Sequence, residues 1–322
     1  SILGQNYKEF KEVIVVDDGS TDNTYDVVKE FKNIDNRIIY IRHKHRRGAN
    51  AARNTGIKHA SGDWIAFLDA DDEWLPSKLE EQINVIRSYG SEVVGVFTGY
   101  YIKKENGKVI GIFIPPKVSN IALTLLLGNY LGTFSTAIIK KQALYEIGLL
   151  DESLPSCQDW DTWLKLAWKF KLIAIRKPLV NYYSSLDSIS ASNIKVALGR
   201  MKILLRILRF ICENREALST HFFFIAKSLV NTDSHYSRLL LKRAFCYRKN
   251  IRYLYHYTSA CLPPPFNTLL ISNWSRLAKI LQFLSRRLQV CYGSEQGIVS
   301  VSYTHLRAHE TEADLVCRLL LE

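Results

Sequence analysis

The sequence predicts an α/β protein in which helices flank a mostly parallel sheet, followed by a basic α-helical C-terminal region. Short apolar, β-prone runs alternate with helical segments up to about residue 190, and this alternation is typical of βαβ units. Beyond that position the patterns are helical. The formal net charge is +1 over residues 1–190 and +11 over the remainder of the 322 residues. We therefore predict an α/β domain over residues 1–190 and a basic helical region over residues 191–300.

Two strand–helix pairs open the chain. The first strand, Glu12–Val16, is followed by a helix that Ser20 or Thr21 caps, with its Val and Phe side chains facing inward. The second strand lies in "RIIYIRH", and the helix in "GANAARNTGIKHASG" ends at Gly62. Each pair predicts one crossover unit of a parallel sheet.

Two further strands and one uncharged run complete the predicted α/β domain. The strand "DWIAFLDADD" leads into a helix that Pro76 opens and Gly90 closes. The strand "EVVGVFTGYYI" is followed by a hairpin turn at Asn106 and Gly107. The run Val118–Ile139 is long enough to cross a bilayer, but polar residues interrupt it. We interpret that run as a core helix followed by a buried strand.

Acidic residues stand at the predicted carboxyl ends of two strands and at the start of a helix. Ligands of open α/β sheets bind beyond the carboxyl ends of the strands, so this placement favours a site. For the first group, a turn that only caps a helix remains an alternative to a binding site. For the last group, the two alternatives are an aspartate that caps the helix and a general base. The residues are Asp17 and Asp18, then Asp69 and Asp71, and finally Asp159 in "QDWDTWLKLAWKF".

Asp69 and Asp71 form a D-x-D pattern within a cluster of like charges. Carboxylates a few ångströms apart repel one another, and a nearby cation relieves that repulsion. Alternate carboxylates can reach one hard divalent cation, whose other positions stay open to diphosphate oxygens. The pattern therefore predicts a binding site for Mn²⁺ or Mg²⁺, and the cation would arrive bound to a nucleotide.

Three segments together resemble glycosyltransferase family 2, whose members are inverting enzymes with a GT-A fold. The segments are "KEVIVVDDGSTDNT", "GANAARNTGIKHASGDWIAFLDADDEWLPSKLE" and "QDWDTWLKL", with "GLLDESL" and "KPLVNYY" on either side of the last. The resemblance covers residues 1 to about 190. It implies a Rossmann-like sheet of GT-A type and a nucleotide-sugar donor, of which a UDP-sugar is favoured.

The resemblance also implies roles for individual residues of the donor site. Asp18 would bind the uracil or equivalent base, and Asp17 would support the loop that carries it. Arg53 would lie near the base and the diphosphate. Asp69 would meet the ribose and the metal, and Asp71 would be the principal metal ligand.

By the same resemblance, Asp159 would deprotonate the acceptor hydroxyl as its oxygen attacks the anomeric carbon. One in-line displacement would invert the configuration, and the metal would stabilise the departing nucleoside diphosphate. The acceptor would be a glycan or a lipid-linked sugar of bacterial cell-surface polysaccharide. A non-catalytic nucleotide-binding fragment and a nucleotidyltransferase are alternatives. The glycine-rich motifs typical of ATPases and dinucleotide-binding proteins are absent from the sequence.

The chain departs from the family pattern at two places and ends in an unrelated segment. The family's first strand and its base-cupping turn are absent, so we expect an N-terminally truncated chain. Gln158 stands where the family often has Glu. Residues 301–322 resemble a translated adaptor tail rather than a metal site, although His305 and His309 have helical spacing.

Two interpretations of the basic region remain open. Its Lys and Arg residues surround apolar stripes, so the helices can cover the catalytic domain. Alternatively, they make peripheral contact with the anionic inner face of the cell membrane, where lipid-linked acceptors lie. The sequence has no recognised nucleic-acid-binding module, so nucleic acid is not an expected partner. The six scattered cysteines lack metal-binding spacing and are typical of a reduced, cytoplasmic protein.

Overall fold

Strands and helices alternate through residues 1–184, as the sequence predicts. The structure, a computed structural model, describes residues 1–184, 193–230, 233–248, 253–254, 256–257 and 261. These residues belong to one unit, Ser1–Leu269. The predicted tail at residues 301–322 lies outside them, and the predicted domain division at residue 190 stays a prediction.

The elements are numbered here in chain order. The strands are Val13–Asp17 (β1), Ile38–Arg42 (β2), Trp64–Ala66 (β3), Glu73–Trp74 (β4), Val93–Lys103 (β5), Val109–Phe113 (β6), Ile138–Lys140 (β7) and Lys171–Tyr183 (β8). The helices are Thr24–Ile34 (α1), Ala49–His59 (α2), Lys78–Tyr89 (α3), Ile121–Leu125 (α4), Lys141–Glu146 (α5), Gln158–Lys169 (α6), Asn193–Ile211 (α7), Arg215–Leu229 (α8) and Ser234–Tyr247 (α9).

The strands form two sheets whose pairing is mixed. Strands β1 and β2 pair in parallel as a sheet of their own. The second sheet has the order β3-β7-β5-β8-β4, with β6 paired to β5. Its β5–β8 pair is parallel, whereas β3–β7, β5–β7, β4–β8 and β5–β6 are antiparallel. The α/β class is confirmed, but the sheet is less parallel than expected because hairpins and short return strands join it.

Helix α1 differs from the prediction at its start and on its inner face. It begins at Thr24 rather than after Ser20 or Thr21, and the Asp22 side chain accepts the Thr24 backbone N–H at 3.1 Å. None of its residues is buried, and Ile34 is 75% exposed. The sheet beneath α1 has two strands only, so the apolar residues of the helix stay at the surface.

Backbone geometry sets the ends of the next elements. Helix α2 stops at His59 rather than at Gly62, because Ala60 already has an extended conformation. Helix α3 ends as predicted at Gly90, whose φ of +58° is a conformation that glycine favours. The predicted hairpin turn is also present, with Gly107 at φ +77° between β5 and β6.

The uncharged run Val118–Ile139 folds into the interior. It contains α4, a 3₁₀ turn at Phe134–Thr136 and the first residues of β7. The predicted order of a helix followed by a buried strand is confirmed, with Leu125 and Ile139 fully buried, but α4 is only partly a core helix because Leu123 is 58% exposed. Among the helices that the structure describes, none combines the length and the hydropathy needed to cross a bilayer.

Helix α7 of the basic region packs against the segment that precedes α6. At Gly199 the two backbones approach so closely that a Cβ atom would lie 2.6 Å from the Ser156 carbonyl oxygen. Farther along α7, Arg206 forms ion pairs with Asp151 and with Asp161. This part of the basic region therefore covers the α/β domain.

The close approach at Gly199 predicts opposite effects for two glycine-to-alanine changes inside helices. Gly199→Ala is expected to lower the free energy of unfolding by about 1–3 kcal/mol, because the new methyl group pushes α7 away from Ser156. The control, Gly56→Ala in α2, is expected to raise it by up to about 1 kcal/mol. A Cβ atom there meets the Val16 side chain at an ordinary 3.6 Å. Urea unfolding measures both, and an undiminished stability of Gly199→Ala would contradict this packing.

Candidate active site

Asp18, directly after β1, holds the loop that leads into α2. One carboxylate oxygen accepts hydrogen bonds from the His43 ring at 2.7 Å and from the Arg47 backbone N–H at 2.9 Å. The other accepts the Gly48 backbone N–H at 2.7 Å. Burial raises the pKa of Asp18, but these three donors hold it below its usual value overall. A carboxylate offers about four acceptor positions, so one stays available to a ligand.

Asp17 is buried beneath the same loop. Its carboxylate accepts hydrogen bonds from the Ser20 backbone N–H at 2.7 Å and from the Tyr40 hydroxyl, and lies 3.5 Å from Nε of Arg42. Burial raises the pKa of Asp17, yet these partners bring it below its usual value. The geometry agrees with a side chain that supports the loop.

Arg53, on α2, joins the D-x-D segment to the start of α6. Its Nη2 donates to Asp69 at 2.6 Å, and its Nη1 donates to Asn50 at 3.2 Å and to Gln158 at 3.1 Å. The guanidinium also lies 4.1 Å from the centroid of the Phe134 ring. Arginine suits this position because its planar fork binds several acceptors while its face stacks on an aromatic ring. One side chain thus links Asp69 of the D-x-D segment to Gln158, the residue that precedes Asp159.

Ser135 holds the D-x-D segment from the interior. Its hydroxyl oxygen accepts the Asp69 backbone N–H at 3.0 Å, and its O–H donates to Asp72 at 2.6 Å. Asp72 is 6% exposed, and burial raises its pKa to about 7. Asp71 is exposed instead, although partial burial of its carboxylate and the charge of Asp69 raise its pKa. The turn therefore buries Asp72 and presents Asp71.

Asp69 and Asp71 fit a hard divalent cation that is shared with a nucleotide. Both offer oxygen donors, which Mg²⁺ and Mn²⁺ prefer. The described residues contain no group of three His, Cys, Asp or Glu side chains that could hold a metal by itself. Magnesium sites in nucleotide-binding proteins commonly use one or two carboxylates, and phosphate oxygens and waters complete the shell. The exposed carboxylate of Asp71 agrees with such a shared site.

Asp159 lies in the first turn of α6. One carboxylate oxygen accepts the Trp160 backbone N–H at 2.7 Å, and the other accepts the Asn129 side-chain N–H at 2.9 Å. Burial raises the pKa of Asp159 to about 6, while the charge of Arg53 lowers it and that of Asp69 raises it to smaller extents. A carboxylate with this pKa can take up a proton near neutral pH.

Titratable and charged groups reach Asp159 from several elements. Asp159 does not occupy the N-cap position of the helix-cap alternative, because Cys157, whose φ is +57°, precedes the first residue of α6. Its carboxylate nevertheless accepts the Trp160 backbone N–H of the first turn and so stabilises that end of the helix. The groups whose charges interact with it are Arg53, Asp69, Tyr100, Cys157 and Arg200.

Asn129 is a residue of this site that the sequence did not single out. Its side-chain N–H groups donate to Asp159 and to the Gly132 carbonyl, the latter at 3.1 Å. Its side-chain oxygen accepts the backbone N–H groups of Leu131 at 3.3 Å and Gly132 at 3.2 Å. These bonds fix the orientation of the amide toward Asp159. The only signal in the sequence was a polar residue inside an apolar run.

Two asparagines on α2 attach that helix to the segment before α6. Asn50 donates to the Asp151 carbonyl at 2.8 Å, and Asn54 donates to the Leu150 carbonyl at 2.9 Å. Asn54 also accepts the Leu150 backbone N–H at 3.0 Å. Asparagine is a weak helix former, so two of them inside one predicted helix were an unused signal of such contacts.

Comparison with known proteins identifies similar sequences. A family model described as Glycosyl transferase family 2 matches residues 1–148. WfaP of Escherichia coli, a UDP-Glc:alpha-D-GlcNAc-diphosphoundecaprenol beta-1,3-glucosyltransferase, is 33% identical over 208 residues, which are 63% of this chain and 77% of WfaP. WfgD of Escherichia coli, which has the same described activity, is 33% identical over 199 residues, 61% of this chain and 74% of WfgD.

A solved structure shows the same fold. Residues 1–349 of S. aureus TarS, in complex with UDP-GlcNAc, superpose with a TM-score of 0.52. The superposition covers 80% of this chain and 84% of the TarS chain, at 18% sequence identity. At this identity the likeness concerns the fold alone, and it confirms the GT-A type of α/β architecture.

The hydrogen bond from Asn129 predicts a measurable effect on Asp159. Its amide donates to the charged carboxylate, so Asn129→Ala is expected to raise the pKa of Asp159 above about 6. The control, Asn120→Ala, removes an asparagine that caps α4 and leaves that pKa unchanged. Carboxyl ¹³C NMR titration measures both, with the signal assigned by Asp159→Asn. The same pKa in Asn129→Ala and in the wild type would count against this bond.

Proposed function

This chain belongs to glycosyltransferase family 2, and we propose that it is an inverting enzyme that uses a nucleotide-sugar donor. A UDP-sugar is the proposed donor, because WfaP and WfgD are both named for UDP-Glc. The proposed acceptor is a hydroxyl group of a glycan or of a sugar joined to a lipid by diphosphate. The names of the same two relatives support the lipid-linked acceptor.

The observation that carries this proposal is the link that Arg53 makes between Asp69 and Gln158 at the start of α6. A displacement at an anomeric carbon needs a group that stabilises the leaving diphosphate and a base for the incoming hydroxyl. The proposal assigns the first task to the D-x-D segment and the second to Asp159. Both segments contact one guanidinium, which supports a shared site.

The donor site is proposed from the residues at the carboxyl ends of β1 and β3. The remaining acceptor position of Asp18 suits an N–H group of a uracil base, and Asp17 supports the surrounding loop. Arg53 is proposed to lie near the base and the diphosphate, and Asp69 near the ribose. Asp71 is the proposed principal ligand of Mn²⁺ or Mg²⁺, with Asp69 as the second.

In the proposed reaction, Asp159 accepts the proton of the acceptor hydroxyl while the oxygen attacks the anomeric carbon. The bond from that carbon to the diphosphate oxygen breaks, and its electron pair leaves with the nucleoside diphosphate. Attack opposite the leaving group inverts the configuration. With a pKa of about 6, Asp159 is mostly deprotonated at neutral pH and can act as the base. A bound divalent cation supplies Lewis-acid stabilisation of the diphosphate charge.

Family membership bears on the alternative enzyme class, the nucleotidyltransferase. Membership of a glycosyltransferase family argues against the nucleotidyltransferase.

We also propose that the chain acts in the cytoplasm, with its basic region in peripheral contact with an anionic membrane. The net charge of +11 beyond residue 190 and the lipid-linked acceptors of the relatives support that contact.

The metal role of Asp71 predicts a specific loss of nucleotide binding. In the wild type, UDP with Mn²⁺ at a hundredfold excess over Kd is expected to raise the free energy of unfolding by about 2.7 kcal/mol. Asp71→Ala is expected to abolish the Mn²⁺-dependent part of this stabilisation, because the exposed carboxylate no longer reaches the cation. Thermal unfolding with UDP, with and without Mn²⁺, measures it.

A neighbouring carboxylate provides the control for Asp71. Glu73 is also exposed, but its oxygen accepts hydrogen bonds from Asn181 at 3.2 Å and from Tyr183 at 3.0 Å. Glu73→Ala is therefore expected to keep the Mn²⁺-dependent shift. An unchanged shift in Asp71→Ala would refute the metal role.

The base role of Asp159 predicts a loss of turnover without a loss of donor binding. Asp159→Asn is expected to slow transfer by about 10²–10⁴-fold, because an amide cannot accept the hydroxyl proton. The affinity for UDP should stay near that of the wild type. The assay follows transfer from UDP-glucose to GlcNAc carried on a short-chain alkyl diphosphate, and isothermal titration with UDP gives the affinity.

The control for Asp159 is Asp26→Asn, in the first turn of the exposed helix α1, which is expected to leave both quantities unchanged. A large loss of UDP affinity in Asp159→Asn would assign this residue to the donor site or to the fold instead. A wild-type chain that binds UDP but transfers no sugar would favour the non-catalytic alternative.

A further inference from the structure

Arg200 stands on α7 at the point where the basic region meets the proposed active site. The preceding residue, Gly199, is the one whose backbone lies against Ser156, just before α6. This part of α7 has little freedom to move, because Arg206, about 1.7 turns farther on, forms ion pairs with Asp151 and Asp161. The backbone therefore directs Arg200 toward the start of α6.

The Arg200 guanidinium is held by ring faces rather than by hydrogen bonds. It lies 5.3 Å from the centroid of the Trp160 ring and 4.8 Å from that of Phe224 on α8. Within the part of the chain that the structure describes, no carboxylate forms an ion pair with it and no carbonyl accepts its N–H groups. Cation–π contacts hold the charge but leave the in-plane N–H donors unused.

Water still reaches these unused donors. Among the described residues, the sealed side-chain nitrogen and oxygen atoms that lack a hydrogen-bond partner belong to Thr98, Thr133, Asp161 and His221. Those of Arg200 are not sealed, although the side chain is partly buried. An incoming group can therefore reach a partly buried cation whose N–H donors have no protein acceptor among the described residues, which is a favourable arrangement for an anion.

Arg200 contacts the residue next to the proposed base. Trp160, on which it lies, follows Asp159 directly, and the charge of Asp159 acts on the guanidinium. Burial lowers the pKa of Arg200, and Asp159 acts in the opposite direction. The acceptor hydroxyl must approach Asp159, so the phosphate on the anomeric carbon of the same sugar lies no more than one sugar ring away from that carboxylate.

We propose that Arg200 is an anion-binding residue of the acceptor site and recognises the phosphate that joins the acceptor sugar to its carrier. This inference rests on the proposed function, which places a diphosphate-linked sugar at Asp159. Arginine suits the task because its fork binds two phosphate oxygens at once. A role for the basic region in substrate recognition follows, in addition to its role in covering the domain.

The diphosphate of the nucleotide-sugar donor is the other anion that Arg200 could bind. It is expected at Asp69 and Asp71, on the segment that Arg53 holds. The contacts of Arg200 lie instead on α6 and α8, and within the described residues it shares none with the D-x-D segment. The two sources of phosphate are therefore tested as separate arms of one experiment.

The test measures binding of a defined probe in the absence of turnover. The probe is GlcNAc joined through α-linked diphosphate to a short alkyl chain, and its uncharged partner is the matching alkyl α-glycoside of GlcNAc. Isothermal titration is performed on the full chain with UDP and Mn²⁺ present. Arg200→Gln is expected to weaken the diphosphate probe by about 10–100-fold, as loss of a charge-assisted hydrogen bond predicts. The affinities for the uncharged probe and for UDP should stay unchanged.

Two further variants separate this role from a structural one. Lys202→Gln, on the same helix, removes an exposed cation that donates to the Ser153 carbonyl at 2.9 Å, and should bind the diphosphate probe as the wild type does. Arg200→Lys keeps the charge without the fork and should give an intermediate affinity. If thermal unfolding shows that Arg200→Gln does not fold, the affinity of Arg200→Lys for the diphosphate probe tests the role of Arg200 instead.

The outcomes distinguish this inference from the proposed function. Equal affinity of the wild type and the Arg200 variants for the diphosphate probe, or no binding to the wild type, overturns the role of Arg200. A loss of UDP affinity in Arg200→Gln assigns the residue to the donor diphosphate and overturns it as well. Failure of the wild type to transfer a sugar from any of a panel of UDP-sugars to a probe that it binds refutes the proposed function and leaves the anion site intact.

Discussion

The ion pair between Arg53 and Asp69 is the interaction on which the arrangement of the site depends. Residues 69–73 carry four acidic side chains, and their mutual repulsion opposes a turn that holds them together. Arg53 supplies a positive charge from α2, and a raised pKa relieves the charge of buried Asp72. The same guanidinium also donates to Gln158, so a single cation aligns the strand end with α6. Asp71 is left exposed and open to a cation.

The start of α6 is held from three directions, and this determines the environment of Asp159. Helix α2 binds it through Arg53, the segment after α4 binds it through Asn129, and α7 presses on it at Gly199. The indole N–H of Trp160 adds a bond of 2.7 Å to the Leu125 carbonyl. Each contact removes freedom from the carboxylate or its surroundings, and the resulting burial raises the pKa of Asp159 to about 6.

Prediction from the sequence succeeded where a local pattern has one structural solution. The alternation of apolar runs predicted β1, β2 and β5, and glycine at positive φ predicted the end of α3 at Gly90 and the hairpin turn at Gly107. It failed where neighbours in space decide. The predicted start of α1 was wrong because the Asp22 side chain accepts the Thr24 backbone N–H, and its predicted inner face was wrong because the sheet below it has two strands only. The sheet is less parallel than predicted because pairing partners are distant in the chain.

The sequence by itself determined the family, the α/β class and the positions of the acidic residues, because these depend on short segments with specific spacing. Only the tertiary structure decided which side chains meet those carboxylates. Arg53 and Gln158 are separated by 105 positions, and Asn129 and Asp159 by 30. No periodicity or propensity relates residues so far apart. Packing of α2, α6 and α7 brings them together, and burial at that junction then sets the charge and the reach of each group.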